Sequence, residues 1–430
     1  MAREMKDSGV EWIGEIPVDW TLKKIKNAIE LIGSGTTPSS NNKDYFNGDI
    51  YWIQSGDIYG KDNILDTSVK VTKEAIKLNS ALQIYQKEFI VIAMYGGSVG
   101  NIAISLIDAC VNQACCCIKT NHDNLLRFMF YWIFMCKDDF LRQSVGGGQP
   151  NISQAKIKNE YYAQPQLAEQ DRIVSFLDAK CIEIDKILSK TRNSIDEYKK
   201  LKQAVITQAV TKGVRGDREM KDSGIEWIGD IPTTWEKSKL KHHLRRNEPR
   251  NPGNVIVLSL YRELGVIPKD SRDDNHNVTS ENTSNYKYVK PGNFVVNKMK
   301  AWQGSVAVSE YEGIVSPAYF VYQFTDDVYL KKYFHYLLRG CYKDEFRRLS
   351  GGIRIGQWDL SSDALDNIPV IIPTISEQQT IVNYLDTKCS EIDNLIVKKE
   401  QYLAEIENYK KSLIYEYVTG KKEVPQEYKA

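Results

Sequence analysis

The carboxylate and lysine residues that could support metal-dependent chemistry occur in two triplets, Asp178-Ala179-Lys180 and Asp386-Thr387-Lys388. Metal-dependent nucleases hold their cations with carboxylates, and a carboxylate followed later in the chain by an acidic-x-Lys triplet would be typical of them. Both triplets, however, fall inside long segments of helical periodicity, on turns that adjoin an apolar seam. This position favours a solvated helix surface over a nuclease site.

Other catalytic motifs are missing from the sequence. An adenine methyltransferase holds a flipped base with an Asn/Asp-Pro-Pro-aromatic motif, and Asn251-Pro252-Gly253 lacks the second proline and the ring. There is no GxxxxGK[ST] phosphate loop or HExxH motif, and Gly420-Lys421-Lys422 follows a helical pattern as its stop. No serine is flanked by nucleophile-elbow glycines, although a Ser-His-Asp arrangement assembled from distant segments stays open.

Composition indicates a globular protein of two or three domains, with 430 residues, 42% of them hydrophobic and 26% charged. The longest apolar run, Phe128 to Cys136, is about half of a bilayer span, so we expect a cytoplasmic protein. The eight cysteines lack the spacing of a disulfide framework or a zinc site. Adjacent Cys115, Cys116 and Cys117 are therefore predicted to be small buried hydrophobes, with no metal.

The net charge is only +1, whereas phosphate binding usually leaves a basic excess. The charge is nevertheless uneven, because residues 237–250 carry six Lys or Arg against one Glu. This segment alone fits a solvated surface and a phosphate-facing patch equally well.

Two segments of the sequence each occur twice, and they define how the chain is organised. The first leader, MKDSGVEWIGEIPVDW at residues 5–20, recurs as the second leader, MKDSGIEWIGDIPTTW at 220–235, with 12 of 16 positions identical. The segment that begins PQLAEQDRIVSFLD at Pro165 recurs from Pro373 without a gap, with 18 of 47 positions identical. Its apolar residues follow the 3-4 spacing of a heptad seam, so each copy is predicted to be one long helix, and the two helices to pack on each other.

Between these repeats lie two mixed regions with β-type apolar runs and many turn residues, about residues 21–163 and 236–371, which we call the first and second head. They align only at a few anchors, among them Phe89–Met94 with Phe294–Met299. The predicted fold is α/β or α+β, a pseudo-twofold tandem duplication. Its predicted domains are leader and first head (1–163), first conserved helix (164–216), second leader and second head (217–371), and second conserved helix (372–430).

The chain resembles the DNA-specificity subunit of type I restriction-modification systems over nearly its whole length. The resemblance rests on IGEIPVDW and IGDIPTTW, on GSGTTPSSNNKDYFNGDIYWIQSGDI and NKMKAWQGSVAVSEYEGIVSPAYFVY in the heads, and on P-x-L-A-E-Q-x-x-I-V-x-x-L-D at Pro165 and its counterpart at Pro373. The order and duplication of these pieces match the family as well.

This resemblance implies that the heads are target recognition domains, each contacting one half of a bipartite, asymmetric double-stranded DNA sequence. It implies that the long helices form an antiparallel coiled coil that sets the spacer. The implied partners are two modification subunits, which supply S-adenosylmethionine and adenine methylation, and restriction subunits in the full complex. The chain itself is then expected to be non-catalytic, with no cofactor of its own.

Base readout in the major groove needs hydrogen-bonding side chains on exposed loops. The sequence candidates in the first head are Thr36, Thr37, Lys43, Tyr45, Tyr95, Ser98, Asn101 and Gln149. Those in the second head are Lys298, Lys300, Trp302, Gln303, Ser305, Arg354 and Gln357, with Arg245 and Arg246 expected on phosphates. The leader tryptophans, Trp12, Trp20, Trp227 and Trp235, recur in both halves and are predicted to serve scaffold packing or subunit docking.

Two rival interpretations are a stand-alone DNA-modifying enzyme that carries its own recognition domains and a non-catalytic coiled-coil adaptor that holds two proteins apart. Methyl transfer by the isolated chain would favour the first. The absence of any DNA sequence preference in the presence of a modification subunit would favour the second.

Overall fold

A computed structural model of the protein describes residues 3–142, 151–262, 264–271, 279–352 and 358–425. The chain divides into two compact units, Met1–Thr191 with Tyr402–Ala430 as unit 1 and Arg192–Gln401 as unit 2. Both divisions fall inside a long helix, whereas the predicted domains treat each helix as a separate piece. The difference arises because each helix supplies apolar residues to the cores of both units.

Unit 1 contains the first leader, the first head and parts of both long helices. Its strands are β1 (Met5–Asp7), β2 (Glu15–Pro17), β3 (Thr21–Lys24), β4 (Ile29–Ser34), β5 (Phe46–Ile53), β6 (Asn63–Ile64), β7 (Val69–Val71), β8 (Phe89–Ala93), β9 (Ile102–Ser105), β10 (Ala109–Val111), β11 (Cys115–Thr120) and β12 (Tyr161–Gln164). Its helices are α1 (Ser55–Ile58), α2 (Lys73–Leu78), α3 (Leu126–Met135), α4 (Lys137–Arg142), α5 (Gln154–Asn159) and the start of α6 (Leu167–Lys212), with short 3₁₀ helices at Ile25–Asn27, Lys43–Tyr45 and Gly96–Ser98.

The first head is built on a five-stranded sheet in the order β4-β11-β8-β9-β6 and a three-stranded sheet in the order β10-β5-β7. The alternating apolar faces of these strands form separate cores on the two sides of the larger sheet. Cys115, Cys116 and Cys117 on β11 have no exposed surface, and burial raises the thiol pKa of Cys115 and Cys116 to about 12 and that of Cys117 well above its ordinary value. The interpretation of these cysteines as small buried hydrophobes is confirmed.

Unit 2 contains the second leader, the second head and the remaining parts of the long helices. Its strands are β13 (Met220–Asp222), β14 (Asp230–Pro232), β15 (Glu236–Lys239), β16 (Leu244–Arg246), β17 (Leu258–Tyr261), β18 (Gly265–Pro268), β19 (Lys287–Val289), β20 (Phe294–Asn297), β21 (Val306–Val308), β22 (Gly313–Val315), β23 (Tyr319–Phe324), β24 (Ser350–Gly351), β25 (Asp359–Leu360) and β26 (Pro369–Ile372). Its helices are the end of α6, then α7 (Lys331–Cys341), α8 (Lys343–Leu349), α9 (Ser362–Asp366) and the start of α10 (Ile375–Val418), with short 3₁₀ helices at Leu240–His242, Lys269–Ser271 and Ala301–Gln303.

The second head has a four-stranded sheet in the order β16-β23-β20-β21, which matches β4-β11-β8-β9 of the first head strand for strand. In both heads the third of these strands contains the aligned anchor, Phe89–Ala93 or Phe294–Asn297. The common origin inferred from a few anchors therefore extends to a shared sheet topology. The heads also share one antiparallel pair, β3-β12 or β15-β26, and differ in their other strands, which pair differently in each.

The long helices pack antiparallel in each unit. In unit 1 the rings of Phe176 and Tyr417 lie 4.4 Å apart and Lys410 Nζ lies 2.7 Å from Asp185 Oδ1, so contact positions rise along α6 as they fall along α10. In unit 2 Lys202 Nζ lies 2.6 Å from Asp393 Oδ2, and Lys399 lies over the Tyr198 ring. The predicted antiparallel pairing of two duplicated helices is confirmed.

Each leader is a small antiparallel hairpin, β1-β2 or β13-β14, that places its last tryptophan in a core. Trp20 is 1% exposed and Trp235 is fully buried. Across the described parts of the chain, no helix is long and apolar enough to span a bilayer.

Candidate nucleic-acid interface

One shared network attaches each head and leader to a long helix. Trp20 Nε1 donates to Glu169 Oε2 at 3.0 Å, and Arg3 also donates to Glu169. In unit 2 Trp235 Nε1 donates to Glu377 Oε2 at 2.8 Å, and Arg218 donates to the same carboxylate. Glu169-Gln170 and Glu377-Gln378 form a Glu-Gln pair that recurs at the start of each long helix, and the glutamate of each pair anchors a leader to its helix.

The glutamine of each Glu-Gln pair bonds backbone groups just before two helices, α3 and α6 in unit 1 and α7 and α10 in unit 2. Gln170 Oε1 accepts from Leu125 N at 2.8 Å, while its Nε2 donates to two carbonyls, of which the one on Pro165 lies at 3.0 Å. Gln378 repeats the pattern, accepting from Leu330 N at 2.7 Å and donating to the carbonyls of Val328 and Pro373. Both side chains are fully buried, so each amide replaces water for three backbone groups.

The aspartates of the two candidate nuclease triplets belong to the same scaffold. Asp178 accepts from Tyr131 and from Arg127 Nε at 2.8 Å. Asp386 accepts from Tyr336 at 2.8 Å and from Lys332 at 2.7 Å. Burial first, and then the bond to the carboxylate, raise the pKa of Tyr336. No group of carboxylate, His or Cys side chains that could hold a metal occurs among the residues with described positions.

The second unit contains a Ser-His-Asp arrangement of the kind that sequence left open. His243 Nδ1 lies 2.7 Å from Asp326 Oδ2, and His243 Nε2 lies 2.7 Å from Ser238 Oγ. Ser238 sits within β15, which pairs along its length with β26, and its hydroxyl also contacts His242 Nδ1 at 3.2 Å. In α/β-hydrolases the nucleophile instead stands on a sharp exposed turn. The contacts of His243 tie β15 to the turn that follows β23.

The variable residues gather at one end of each shared sheet. In the first head Cys116 pairs with Ser34 and Cys115 with Ala93, so β4 and β8 finish on either side of the start of β11. Their continuations form the first loop end, which we define as residues 35–37, 94–98, 112–113 and 151–154.

Several contacts hold the first loop end together. Thr37 Oγ1 donates to Gln113 Oε1 at 2.6 Å, and Gln154 Nε2 donates to Ser34 Oγ at 3.0 Å. The backbone of Tyr95 pairs with Asn151, and the Tyr95 side chain is 42% exposed. Gln113 and Gln154 are polar members of this surface that sequence reasoning missed, because only strand pairing brings their distant segments to Thr37 and Tyr95.

The other first-head candidates differ in whether they belong to this surface. Thr36 and Ser98 are half-buried members of the loop end, while Asn101 Oδ1 accepts from Lys137 Nζ at 2.8 Å just beyond it. Lys43 and Tyr45 lie before the start of β5, at the opposite end of that strand from the loop end. At the loop end, Asn112 N donates to Ile53 O, the last residue of β5. Gln149 lies outside the described residues.

The second loop end is the corresponding surface of unit 2, and we define it as Arg262 with residues 298–305 and 358–359. Asn297 pairs with Tyr319, which puts the exit of β20 beside the start of β23 as in the first head. Lys298 Nζ lies 2.9 Å from Asp359 Oδ2, and Arg262 Nη2 donates to Gln303 Oε1 at 2.8 Å. Lys300 is exposed, so cationic side chains border this surface.

One second-head candidate is corrected and two lie outside the structure's description. Ser305 is only 4% exposed and its backbone closes the turn onto Asn297, so its hydroxyl cannot meet a base without rearrangement. Arg354 and Gln357 lie outside the described residues.

The two arginines predicted to contact phosphates differ. Arg245 is exposed on β16. Arg246 lies over the Phe320 ring and forms a 2.8 Å ion pair with Glu248. Burial raises the pKa of Glu248, but the bonds from Arg246 and Lys287 outweigh it and lower the pKa overall. Arg246 and Lys287 thus share one carboxylate within the head, which offsets part of their charge.

The remaining leader tryptophans differ between the units. Trp12 Nε1 donates to Glu160 Oε1 at 3.2 Å, and burial raises the pKa of Glu160. The residue of unit 2 that corresponds to Glu160 is Ile368, 208 residues later. The Nε1 atom of Trp227 is buried and has no acceptor among the described residues.

Comparisons with known proteins agree with this architecture. The family model of the type I restriction modification DNA specificity domain matches residues 17–197 and again 232–408. The type I restriction enzyme MjaVIII specificity subunit of Methanocaldococcus jannaschii is 26% identical, covering 94% of this chain and 93% of its own. The putative type I restriction enzyme MjaX specificity subunit of the same organism is 24% identical, with 95% of each chain covered.

A solved structure from work on the assembly and conformational transition of a type I R-M system shares the fold. It superposes with a TM-score of 0.66 at 15% identity, covering 94% of this chain and 98% of the other. The matched family regions take in both heads and most of both long helices. The chain therefore belongs to the type I restriction-modification DNA specificity family.

Proposed function

We propose that this chain is the DNA-recognition subunit of a type I restriction-modification complex, in which each head reads one half of a bipartite, asymmetric target. The observation that carries this proposal is the pairing of one sheet topology and one anchoring network with two different loop ends. A duplicated scaffold that holds unlike polar loops suits a target with two unlike parts.

The first loop end offers amides, hydroxyls and one exposed tyrosine, whereas the second offers two lysines, an arginine and tryptophans. Hydrogen-bonding side chains on loops, held by a rigid sheet, can distinguish base pairs in the major groove. We therefore propose the described candidates at each loop end as base contacts, and Arg245 as a phosphate contact.

Two modification subunits would supply S-adenosylmethionine and adenine methylation, and restriction subunits would join them in the full complex. A net charge of +1 supports this division, because a self-sufficient DNA binder normally has a basic excess. The conserved helices would dock the modification subunits and set the spacer between the half-sites, since each helix supplies residues to both units.

Methylation-sensitive sequencing of a genome modified by this chain with its modification subunit tests the proposal. We expect methyladenine in a split motif with two different halves. Lys300→Ala should relax only one half of the motif, and Thr37→Ala only the other. Leu78→Ala, at an exposed position on α2 that belongs to neither loop end, is the control. A continuous palindrome would contradict the two-headed mechanism.

The rival stand-alone enzyme is tested with the purified chain, DNA and labelled S-adenosylmethionine. We expect no methyl transfer until the modification subunit is added. Transfer by the chain alone would overturn the assignment of methylation to a partner.

A further inference from the structure

The second loop end contains a pair of tryptophans that lie outside the cores formed by the described residues of this head. The rings of Trp302 and Trp358 lie 5.6 Å apart in an edge-on arrangement with an interplanar angle of 63°. Both side chains are half-buried, and neither belongs to the described residues that form the two cores of this unit. Large aromatic side chains usually enter a core, so a pair at the rim of a head indicates a surface that receives a ligand.

Local hydrogen bonds hold this pair in place. Trp302 Nε1 donates to Met299 O at 3.1 Å, and the turn ends at Gly304 with a φ of 87°, a left-handed conformation that favours glycine. Leu360 N donates to Lys298 O at 3.0 Å, which fixes the strand that follows Trp358 against the same loop. The rings are therefore positioned before any ligand arrives, which lowers the entropic cost of binding.

The surroundings of the pair favour nucleic acid as the ligand. Lys300 is exposed beside Trp302, and Arg262 reaches the same turn through Gln303. A cationic border around an apolar centre complements a DNA groove, where phosphates flank the base edges. The first head carries a different group here, because Tyr95 and two glycines occupy the loop after its third sheet strand. Residues that select sequence should differ between heads in this way.

The chemistry of the pair limits which group of the DNA it can contact. The indole N–H of Trp302 is already bonded to the backbone, so its ring presents carbon atoms to the ligand. In a base-paired duplex the ring faces are covered by stacking, and the apolar group at base edges in the major groove is the 5-methyl group of thymine.

We propose that Trp302 and Trp358 contact the 5-methyl group of a thymine in the half-site read by the second head, and so select an A·T pair at one position. This inference rests on the proposed function. It assigns a specificity-determining contact to a head whose other candidates act through hydrogen bonds and charge.

The test uses the complex of the full chain with its modification subunit and a duplex that carries the methylated motif. Each thymine of the second half-site, on either strand, is replaced in turn by uracil, which removes only the methyl group. We expect one position at which the affinity falls about fourfold, the equivalent of burying one methyl group. At that position Trp302→Ala should abolish the difference between thymine and uracil, while Trp302→Phe should keep part of it.

Ile256→Ala is the matched control, because this side chain is 50% exposed on the same head and is not part of the second loop end. It should leave the thymine preference unchanged. If Trp302→Ala does not fold, Trp302→His, which keeps a planar ring but adds polar atoms, replaces it.

Three results would overturn the contact: a second half-site without thymine, no uracil effect at any position, or a uracil effect that persists in Trp302→Ala. These outcomes are separate from failure of the proposed function, which the methylation map decides first. If the methylated motif is split but no uracil effect is found, only the tryptophan contact is contradicted. If the motif is not split, both the proposed function and the tryptophan contact are contradicted.

Discussion

The two heads use the same four-stranded order and the same Glu-Gln anchor, yet their loop ends share almost no side-chain chemistry. Thr37, Gln113 and Tyr95 characterise one loop end, and Lys300 and Trp302 the other. The comparison separates two kinds of residue within one duplicated chain. Repeated residues such as Glu169 and Glu377 hold a head on its helix, whereas Tyr95 and Lys300, which are not repeated in the other head, are exposed.

The largest expected effect is on the shared anchors. Trp20→Ala and Trp235→Ala each remove a buried indole and its bond to a glutamate, so each should lower the free energy of unfolding by about 3 to 5 kcal/mol. Denaturant unfolding of the purified chain measures the loss. Because the anchors are common to both halves, the methylation motif should stay the same wherever the complex still assembles, and a shifted motif would break the comparison.

Loss of the buried glutamine should be next in size and similar in both units. Gln170→Leu and Gln378→Leu each remove a buried amide that bonds three backbone groups, which we expect to cost about 3 kcal/mol in each case, although Asp123 O in unit 1 also accepts from Gln164 Nε2. Replacement of exposed Gln379 by Leu provides the control on the same helix turn. Unequal losses in denaturant unfolding would show that the two anchors are not equivalent.

The leader tryptophans Trp12 and Trp227 should respond differently to the same change. Trp12→Phe removes a donor to Glu160 and should cost about 1 to 2 kcal/mol, since hydrogen bonds to charged groups are among the stronger ones. Trp227→Phe removes a buried N–H that has no acceptor among the described residues, so it should cost less than Trp12→Phe, with the lost ring packing as its main term. Thermal unfolding of the two variants measures the contrast, and an equal loss in both would contradict it.

The smallest effects concern the ion pairs between the helices. Asp185→Lys places two cations together and should cost about 0.5 to 1 kcal/mol, and adding Lys410→Asp should restore the loss. The same exchange at Lys202 and Asp393 tests the antiparallel pairing in unit 2. Unfolding at low and high salt measures both, and a double exchange that fails to recover would argue against the assigned partners.

The helices could be predicted well because their evidence is local. The apolar seam, the proline and Glu-Gln start and the glycine stop are all read within one segment, and the duplication repeats them. The division of units was not foreseen, because a seam shows that a helix is buried but not which part packs on which head.

The loop ends illustrate what sequence leaves out. Tyr95 and Trp302 stood out as exposed-loop residues, but Gln113, Gln154, Arg262 and Trp358 reach them only through strand pairing and long-range hydrogen bonds. Ser305 was misplaced for the related reason that a turn residue can face inward, which burial alone reveals.

The discontinuity of unit 1 has a consequence for synthesis of the chain. Unit 2 is one continuous stretch, Arg192–Gln401, whereas unit 1 needs Tyr402 onward to pack on residues made at the start. Lys421 Nζ, for example, donates to Ile13 O at 2.9 Å. Because a ribosome delivers the chain from its N-terminus, the first head to be translated is the last to be completed. Until then, the residues of its leader and helix that pack on residues 402 onward lack those partners.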